Sequence, residues 1–412
     1  MEPKSCWVGL DWGDAHHGVC VLDVGTDQET SFTVENTAEA LDEFIVSLRP
    51  HGDVLGIAVE TPRHFVVQKL LAAGLCVYPV NPKLAKAWRD STGAQPSKSD
   101  AIDASVLARG LAQHHKNLRL LTPDDEATRE LVLLCDDEQH LIGSRTANVN
   151  RLQATLKQYY PEALRWFDKW AEPLAWDFII AFPDPEFLAA ASRKKLIGFF
   201  RSHRCRLTPQ LQERIDKRSA LPKAPDEPTR RAMRLRSVAT AKILQAVEKE
   251  RRVCHKRIRE LFEQHPDQGL FDSLPGAGDT LAPRLLAGFG ANREQFESAA
   301  AIQCLSGTAP VTKTSGKQER PVVQFRWACQ SNFRKTLHLF AMCSKNSCRW
   351  AKAFYDEARR RGQSHGLALR NLANKWLKII FRMWKERQPY DEARFLQSLI
   401  DHGSPLVAAM KT

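Results

Sequence analysis

Short apolar segments alternate with amphipathic segments over the first 90 residues. Three segments have the three-to-four spacing of helices, at 37–48, 65–71 and 82–89. Because three apolar segments precede the first helix and the rest alternate with helices, the pattern predicts a mixed α/β sheet that starts as a meander. The predicted strands are rich in Val, Leu and Ile and are bounded by Gly, Pro or Asp, at 6–12, 18–24, 31–34, 54–60 and 75–80.

Longer helical repeats replace this pattern in the middle of the chain. Residues 126–160 have helical apolar spacing and no Pro, and residues 228–265 have a three-four repeat that Arg251 interrupts. Two such helices should pair as an antiparallel hairpin. Residues 161–227 are rich in Trp and Phe among prolines and basic clusters, which predicts a helical insertion with its own aromatic core. The rings could instead stack on nucleobases.

The last third is also predicted to be mostly helical. Its last long helix, 367–385, has apolar positions interleaved with Lys and Arg, so one of its faces should be basic. The sequence therefore divides into an α/β domain over 1–125, a coiled-coil region over 126–265 that carries the insertion, and a mainly helical domain over 266–412.

Composition excludes several classes of protein. With 43% hydrophobic and 26% charged residues, the chain is neither fibrous nor grossly disordered. No segment approaches the roughly 18 apolar residues that span a bilayer, and the first thirty residues are acidic, unlike a secretion signal. The ten cysteines contain no CxxC pair, so we expect reduced thiols in a cytoplasmic protein and no partnership with a membrane.

Charge is distributed unevenly along the chain. Residues 1–125 contain 11 basic and 17 acidic side chains, a net charge of −6. Because the whole chain has a net charge of +12, residues 126–412 carry a net charge of +18. Basic surfaces bind nucleic acid because the binding releases condensed counterions. The alternative is a soluble basic protein with no such partner.

Acidic side chains end two of the predicted strands. Asp11 closes the first apolar segment, and Glu60 closes the segment at 54–60, just before Pro62. Neither acid has an obvious local basic partner, so two such carboxylates would repel each other unless a cation lies between them. Mg²⁺ or Mn²⁺ is the natural candidate, because hard oxygen ligands suit these ions.

A third acidic element is the string KSDAIDA, residues 98–104. Ser99 is placed to cap a helix, which puts Asp100 and Asp103 three residues apart on one helical face. Acids in a first helical turn are also common without any function, since the helix dipole favours them.

Two segments of the last third are candidates for DNA chemistry. Gly276 and Gly278 form a Gly-x-Gly turn before a helix, where backbone amides can approach a phosphate. Ser315 lies beside a Gly with a basic flank, and that charge would hold a phosphodiester while the hydroxyl attacks it. The flanking cations are Lys313, Lys317 and Arg320. The alternatives are an ordinary helix-connecting turn and a surface loop, and Ser306 is the rival serine.

These residues together resemble one family. Asp11, Glu60, Asp100 and Asp103 look like the DEDD tetrad of the RuvC-like, ribonuclease H-type domain of bacterial insertion-sequence transposases related to the Piv DNA invertase. The string at 274–278 is similar to a helix-hairpin-helix, and residues 307–310 and 314–317 resemble the family's Gly-x-x-Pro and Ser-Gly signatures. The chain departs from the family at Ser331-Asn332, where Gly-Asn is usual, and in its longer helical middle.

The resemblance implies a DNA transposase or recombinase. In this family the tetrad binds Mg²⁺ or Mn²⁺, and the serine, here Ser315, forms a phosphoserine link to DNA. The resemblance also implies guidance by a structured noncoding bridge RNA that pairs with donor and target DNA, assembly into homodimers and homotetramers, and a place at the bacterial nucleoid. Alternatives are a hydrolytic RuvC-like nuclease, in which water attacks and Ser315 is structural, and an inert nucleic-acid scaffold, which should lack at least one of the carboxylates.

Overall fold

The chain folds into two compact units, residues 1–123 and 124–412. The computed structural model describes residues 4–60, 64–91, 99–220, 227–313, 322–324, 326 and 329–410, and it describes only the backbone at 219–220, 312–313 and 322–324.

The N-terminal unit contains a five-stranded mixed sheet in the order β3-β2-β1-β4-β5. The first three strands are antiparallel neighbours, and β4 and β5 continue the sheet in parallel with β1. The predicted strands and meander are therefore confirmed. The strands are β1 (Ser5–Asp11), β2 (His16–Asp23), β3 (Glu29–Glu35), β4 (Asp53–Val59) and β5 (Val77–Pro79).

Helices cover both faces of this sheet. They are α1 (Ala38–Ser47), α2 (Phe65–Ala72), α3 (Pro82–Ser91) and α4 (Asp100–His114). The first two helices share one buried cluster with alternate strand residues such as Val8 and Leu10, and the other two share a second cluster with Trp7 and Ala58. Burial on both faces explains why the strands read as apolar runs.

The C-terminal unit is built from helices and one short antiparallel pair of strands, β6 (Val311–Lys313) and β7 (Val322–Gln324). Its helices are α5 (Glu126–Tyr159), α6 (Pro173–Ala181), α7 (Pro185–Ala190), α8 (Arg193–Ser202), α9 (Pro209–Asp216), α10 (Glu227–Gln264), α11 (Gln268–Asp272), α12 (Gly278–Phe289), α13 (Ala299–Leu305), α14 (Ser331–Ser347), α15 (Arg349–Arg360), α16 (His365–Glu386), α17 (Glu392–Asp401) and α18 (Pro405–Ala409).

Helices α5 and α10 form the predicted antiparallel hairpin. Near one end Glu130 accepts hydrogen bonds from Arg257, and near the other Tyr159 pairs with Ser237 at 2.5 Å. Partner numbers therefore fall along α10 as they rise along α5. None of the helices in the described ranges is both long and apolar enough to cross a bilayer.

The insertion between the two helices has the aromatic core that its composition predicts. Trp176 and Phe178 are fully buried, and they share one cluster with Tyr159 of α5 and Leu244 of α10. The rings that pack this core are therefore not available to stack on nucleobases. Phe187 of the insertion lies outside this core, since it is 51% exposed and its ring lies under the guanidinium of Arg234.

A buried ionic cluster connects the hairpin to α12. Glu138 of α5 is 1% exposed and accepts a hydrogen bond from Arg284 Nη2 at 2.6 Å. Its other oxygen lies 3.0 Å from His255 Nδ1 and 3.4 Å from Arg251 Nη1, both on α10. Opposite charges held this close offset much of the cost of removing each from water.

Replacing Glu138 with Ala should destabilise the protein by about 3–5 kcal/mol, because it leaves Arg284 buried without its carboxylate. Glu130→Ala on the same helix is the matched control, since its pair with Arg257 is exposed and should contribute about 0–1 kcal/mol. Thermal unfolding measures both. Equal losses in the two variants would contradict a stabilising role for the buried cluster.

Candidate active site

Asp11 and Glu60 leave neighbouring strands at the same edge of the sheet. Strands β1 and β4 are parallel, and Leu10 is the register partner of Val59, so the next residue of each strand is an acid. Leu10 and Val59 both pack on the α1–α2 face. Because side chains alternate along a strand, Asp11 projects to the opposite face, where α3 and α4 lie, and Glu60 is the first residue beyond β4.

Two glycines allow α4 to approach this edge closely. A Cβ on Gly9 would lie 1.9 Å from the carbonyl oxygen of Ala104, and one on Gly18 would lie 3.0 Å from Cβ of Asp100. Gly18 is the register partner of Asp11. The start of α4 is therefore held over the end of β1, and Asp100 lies beside Asp11.

Helix α4 begins as its sequence predicts. The hydroxyl of Ser99 caps it by accepting a hydrogen bond from the backbone amide of Ile102 at 3.3 Å. Asp100 is exposed, whereas Asp103 is only 6% exposed. The structure thus places Asp11 and Glu60 at the ends of the neighbouring strands β1 and β4, and Asp100 and Asp103 in the first turn of α4.

Asp103 forms an ion pair with Arg89, which lies two residues before the end of α3. Sequence reasoning missed Arg89, and no local signal identifies it, because its place depends on how α3 packs against α4. Within the described parts of the chain, no three His, Cys, Asp or Glu side chains converge as a metal site does. The four acids nevertheless offer only carboxylate oxygens, the donors that Mg²⁺ and Mn²⁺ prefer, so the residues fit such an ion.

Aromatic residues flank the acidic edge. Trp12 follows Asp11 directly and stacks on His64, with ring centroids 4.0 Å apart and planes 8° apart. His17 is fully buried near the turn between β1 and β2, and its Nδ1 accepts a hydrogen bond from the backbone amide of Gly13 at 3.3 Å. Burial lowers the pKa of His17, which favours its neutral form. These residues also lie outside the sequence-based predictions.

Replacing Gly9 with Ala should displace α4 and lower both the melting temperature and the activity, because the new methyl group would overlap the backbone of Ala104. The matched control is Gly143→Ala in α5, where no described atom lies within 4 Å of the new Cβ. Since Ala is a better helix former, that variant should be neutral or up to about 1 kcal/mol more stable. Thermal unfolding and a DNA cleavage assay measure these effects. A Gly9→Ala variant with the melting temperature and the activity of the wild type would refute the close approach.

Gly276 and Gly278 have different surroundings. Both adopt left-handed backbone conformations, with φ of 81° and 53°. A Cβ on Gly276 would lie 3.0 Å from the backbone of Cys343 in α14, so this glycine is needed for packing. Gly278 is exposed at the start of α12, and among the described atoms none lies within 4 Å of its Cβ position. Its backbone is the more accessible of the two to a phosphate.

The serine segment is described only at its ends. Ser315, Lys317 and Arg320 lie outside the described residues. Lys313 ends β6, and its backbone pairs with Val322 of β7.

The rival serine is buried. Ser306 is 0% exposed, and its hydroxyl donates a hydrogen bond to the carbonyl oxygen of Gln303 at 3.1 Å. The next turn is fixed to α16, since the hydroxyl of Thr308 donates to Oδ1 of Asn374 at 3.0 Å. Ser306 is therefore part of a packed turn and has no access to DNA in this structure.

Comparisons with known proteins match both regions. Residues 8–161, which contain all four acids, match a family model described as a transposase, of the IS110 DEDD type. Residues 268–356, which contain both glycines and Ser315, match a family model described as "Transposase IS116/IS110/IS902 family". The two models together cover more than half of the chain.

Related proteins match nearly the whole length. The "Mini-circle putative transposase for IS117" of Streptomyces coelicolor is 27% identical, over 97% of this chain and 98% of that protein. The "Insertion element IS110 uncharacterized 43.6 kDa protein" of the same organism is 26% identical over 95% and 96%. The "Insertion element IS900 uncharacterized 42 kDa protein" of Mycobacterium paratuberculosis is 24% identical over 95% and 98%. The chain belongs to the IS116/IS110/IS902 family of insertion-sequence transposases, which are DNA recombinases.

Proposed function

We propose that this transposase cuts and rejoins DNA through a covalent phosphoserine link formed by Ser315, supported by a metal-binding tetrad of Asp11, Glu60, Asp100 and Asp103. The observation that supports the proposal is the close approach of the first turn of α4, which carries Asp100 and Asp103, to the edge of the sheet where Asp11 and Glu60 end neighbouring strands. The mixed sheet that starts as a meander also supports a ribonuclease H-like, RuvC-type fold for the N-terminal unit.

The proposed reaction has two transfers. Ser315 Oγ loses its proton to a carboxylate and attacks phosphorus, so that an O–P bond forms and the bond to the leaving strand's oxygen breaks. That oxygen takes up a proton. A hydroxyl of the recipient strand then attacks the same phosphorus and releases the serine. Bound at the four acids, Mg²⁺ or Mn²⁺ would supply positive charge that stabilises the phosphodiester's developing negative charge.

Covalent capture tests the serine step. A suicide DNA substrate that loses its leaving strand should leave the protein attached to DNA, visible as a shifted band on a denaturing gel. Cut DNA with free ends and no attached protein would favour the alternative, a hydrolytic nuclease in which water attacks.

We further propose that a structured bridge RNA guides the enzyme to donor and target DNA. The resemblance implies this guide, and the basic C-terminal part offers the charge to bind it. Sequencing the RNA that copurifies with the protein should reveal one structured species encoded beside the gene. The resemblance also implies homodimers and homotetramers, which light scattering would detect.

The charge distribution predicts where nucleic acid binds. A fragment of residues 126–412, with its net +18, should bind nucleic acid with an affinity that falls steeply as salt rises, and residues 1–125, with −6, should bind poorly. Filter binding at several salt concentrations measures both. Equal affinity of the two fragments at moderate salt would contradict this assignment.

A further inference from the structure

The insertion carries a run of positive charge on α8 and in the turn after it. Residues 187–212 contain six Lys or Arg and no Asp or Glu. Arg193 is paired with Asp216 at 2.8 Å, and Lys195 lies over the ring of Phe182, 5.8 Å from its centroid. The other four cations are exposed, and none of them forms an ion pair with a described residue. We name these four the α8 basic strip: Lys194, Arg201, Arg204 and Arg206.

The first two cations of the strip lie on one face of α8. Lys194 and Arg201 are seven residues apart, which is two turns or about 10.5 Å along the helix. Gly198 lies between them on the same face, is exposed, and has no described atom within 4 Å of its Cβ position. Ala would favour the helix by about 1 kcal/mol, and no described packing contact requires Gly here. The glycine leaves an open depression between two cations.

The turn that ends α8 holds the other two cations. The backbone amide of Arg204 donates a hydrogen bond to the carbonyl oxygen of Arg201 at 2.9 Å, and Arg204 has a left-handed φ of 55°. Cys205 and Leu207 pack against the aromatic core of the insertion, whereas Arg204 and Arg206, which alternate with them, are exposed. Because the backbone is fixed in this way, these arginines lose little conformational freedom when they bind a ligand.

The composition of this surface favours a phosphate backbone as its partner. None of residues 188–207, all of which are described, is an exposed large apolar side chain. Protein interfaces rely on aromatic or aliphatic anchors, single strands stack on exposed rings, and membrane-surface helices insert apolar side chains. Duplex nucleic acid needs none of these, because cations that neutralise its phosphates release condensed counterions.

We propose that the α8 basic strip binds the backbone of duplex DNA, with one phosphate in the depression at Gly198 and further phosphates at Arg204 and Arg206. DNA is the ligand that we name, because the chain belongs to a family of DNA recombinases. Such contacts position the duplex and do not read its sequence. The proposal rests on the proposed binding of nucleic acid by the basic C-terminal part, and not on the serine mechanism.

The first test removes two charges from the strip in the full-length protein. Arg204→Gln combined with Arg206→Gln should raise the Kd for duplex DNA by about 5- to 30-fold at moderate salt. Since each lost phosphate contact lowers the salt dependence, the slope of log K against log salt should become less negative by about 2. Filter binding with a duplex of about 30 base pairs measures both quantities.

The matched control removes two charges with the same spacing from α10. Arg257 and Arg259 are exposed, and they are paired with Glu130 and Glu263. The double variant Arg257→Gln with Arg259→Gln should therefore bind DNA like the wild type. Thermal unfolding checks that both double variants are folded. An equal loss of affinity in the two would show that DNA responds only to total charge, and it would overturn the proposal.

The second test reports on the strip directly. Duplex DNA should protect Lys194 from acylation by an amine-reactive reagent. Lys169, also in the insertion, has a side chain that is 77% exposed and paired with Glu172, so it should be labelled equally with and without DNA. Mass spectrometry of the labelled peptides measures both lysines. Labelling of Lys194 that does not change when DNA is added would overturn the proposal.

The third test fills the depression without changing any charge. Gly198→Leu should raise the Kd for duplex DNA by about 3- to 10-fold, and the helix should survive, since Leu is the better helix former. Gly143→Leu in α5 is the matched control, because this glycine is equally open but has no Lys or Arg one turn away on its face. Wild-type affinity of Gly198→Leu would contradict the contact at the depression.

Other outcomes separate this proposal from its alternatives and from the serine mechanism. A strip variant that keeps its affinity for duplex DNA but loses affinity for duplex RNA of the same sequence would overturn the DNA assignment. Unchanged DNA binding with an altered oligomeric state in light scattering would identify a protein contact instead. A wild type that protects Lys194 with DNA yet forms no covalent adduct would reject Ser315 as the nucleophile and leave this inference standing.

Discussion

Replacing Ser315 with Ala should abolish both strand cleavage and strand joining, with no covalent protein–DNA adduct at any reaction time. The variant lacks the atom that forms the bond to phosphorus. Folding and RNA binding should survive, because only one oxygen is lost. The measurement is a denaturing gel with a suicide DNA substrate, together with thermal unfolding and RNA binding of the same preparation.

Ser306→Ala is the control for this experiment. The buried hydroxyl of Ser306 donates to Gln303 and lies 3.1 Å from the hydroxyl of Thr308, so its loss should cost about 0.5–1.5 kcal/mol of stability and leave the chemistry intact. Cutting by Ser315→Ala that produces free ends would reject the serine mechanism, because a water nucleophile needs no side-chain hydroxyl.

Asp11→Asn should abolish recombination while nucleic-acid binding remains largely intact. The substitution keeps the shape of the side chain but removes a negative oxygen ligand from the edge where Glu60 and Asp100 also lie. A metal-bound transition state is worth several kcal/mol, so a loss of more than about 100-fold is expected. Asp103→Asn should behave in the same way. Recombination rates at several magnesium concentrations measure the effect.

Asp14→Asn provides the comparison on the same turn. Asp14 is exposed, three residues beyond Asp11, and has no counterpart in the tetrad. It should recombine at the wild-type rate. Wild-type recombination by Asp11→Asn in magnesium would reject the metal-binding tetrad, and an equal loss in Asp14→Asn would indicate a general effect of charge on this edge.

Local patterns predicted the elements of this protein well. The strands at the acidic edge and the cap at Ser99 follow from residue spacing alone, and so do the two long helices, whose ends the structure places within a residue of 126–160 and 228–265. The same patterns placed Asp11 and Glu60 at the ends of separate strands, but the register of Leu10 with Val59 was needed to show that these ends lie at the same edge of the sheet.

Contacts between distant elements could not be predicted in this way. Arg89 meets Asp103 only because α3 and α4 pack together, and Glu138 meets Arg284 across 146 positions of sequence. Neither pair has a spacing that distinguishes it from a solvated surface charge. The different roles of Gly276 and Gly278 are likewise invisible in sequence, since both are small residues in one turn and only the position of α14 separates them.

The helical hairpin sets a distance between two parts of the C-terminal unit. Glu138, where α5 is tied to α12, is 21 residues from Tyr159, which packs in the core of the insertion. At 1.5 Å of rise per residue this is about 32 Å along a straight helix. One turn of B-form duplex is about 34–36 Å long. The separation is therefore close to one duplex turn, and because an α-helix turns about 100° per residue, inserting one residue into α5 between these places would rotate the insertion's core by about 100° relative to α12.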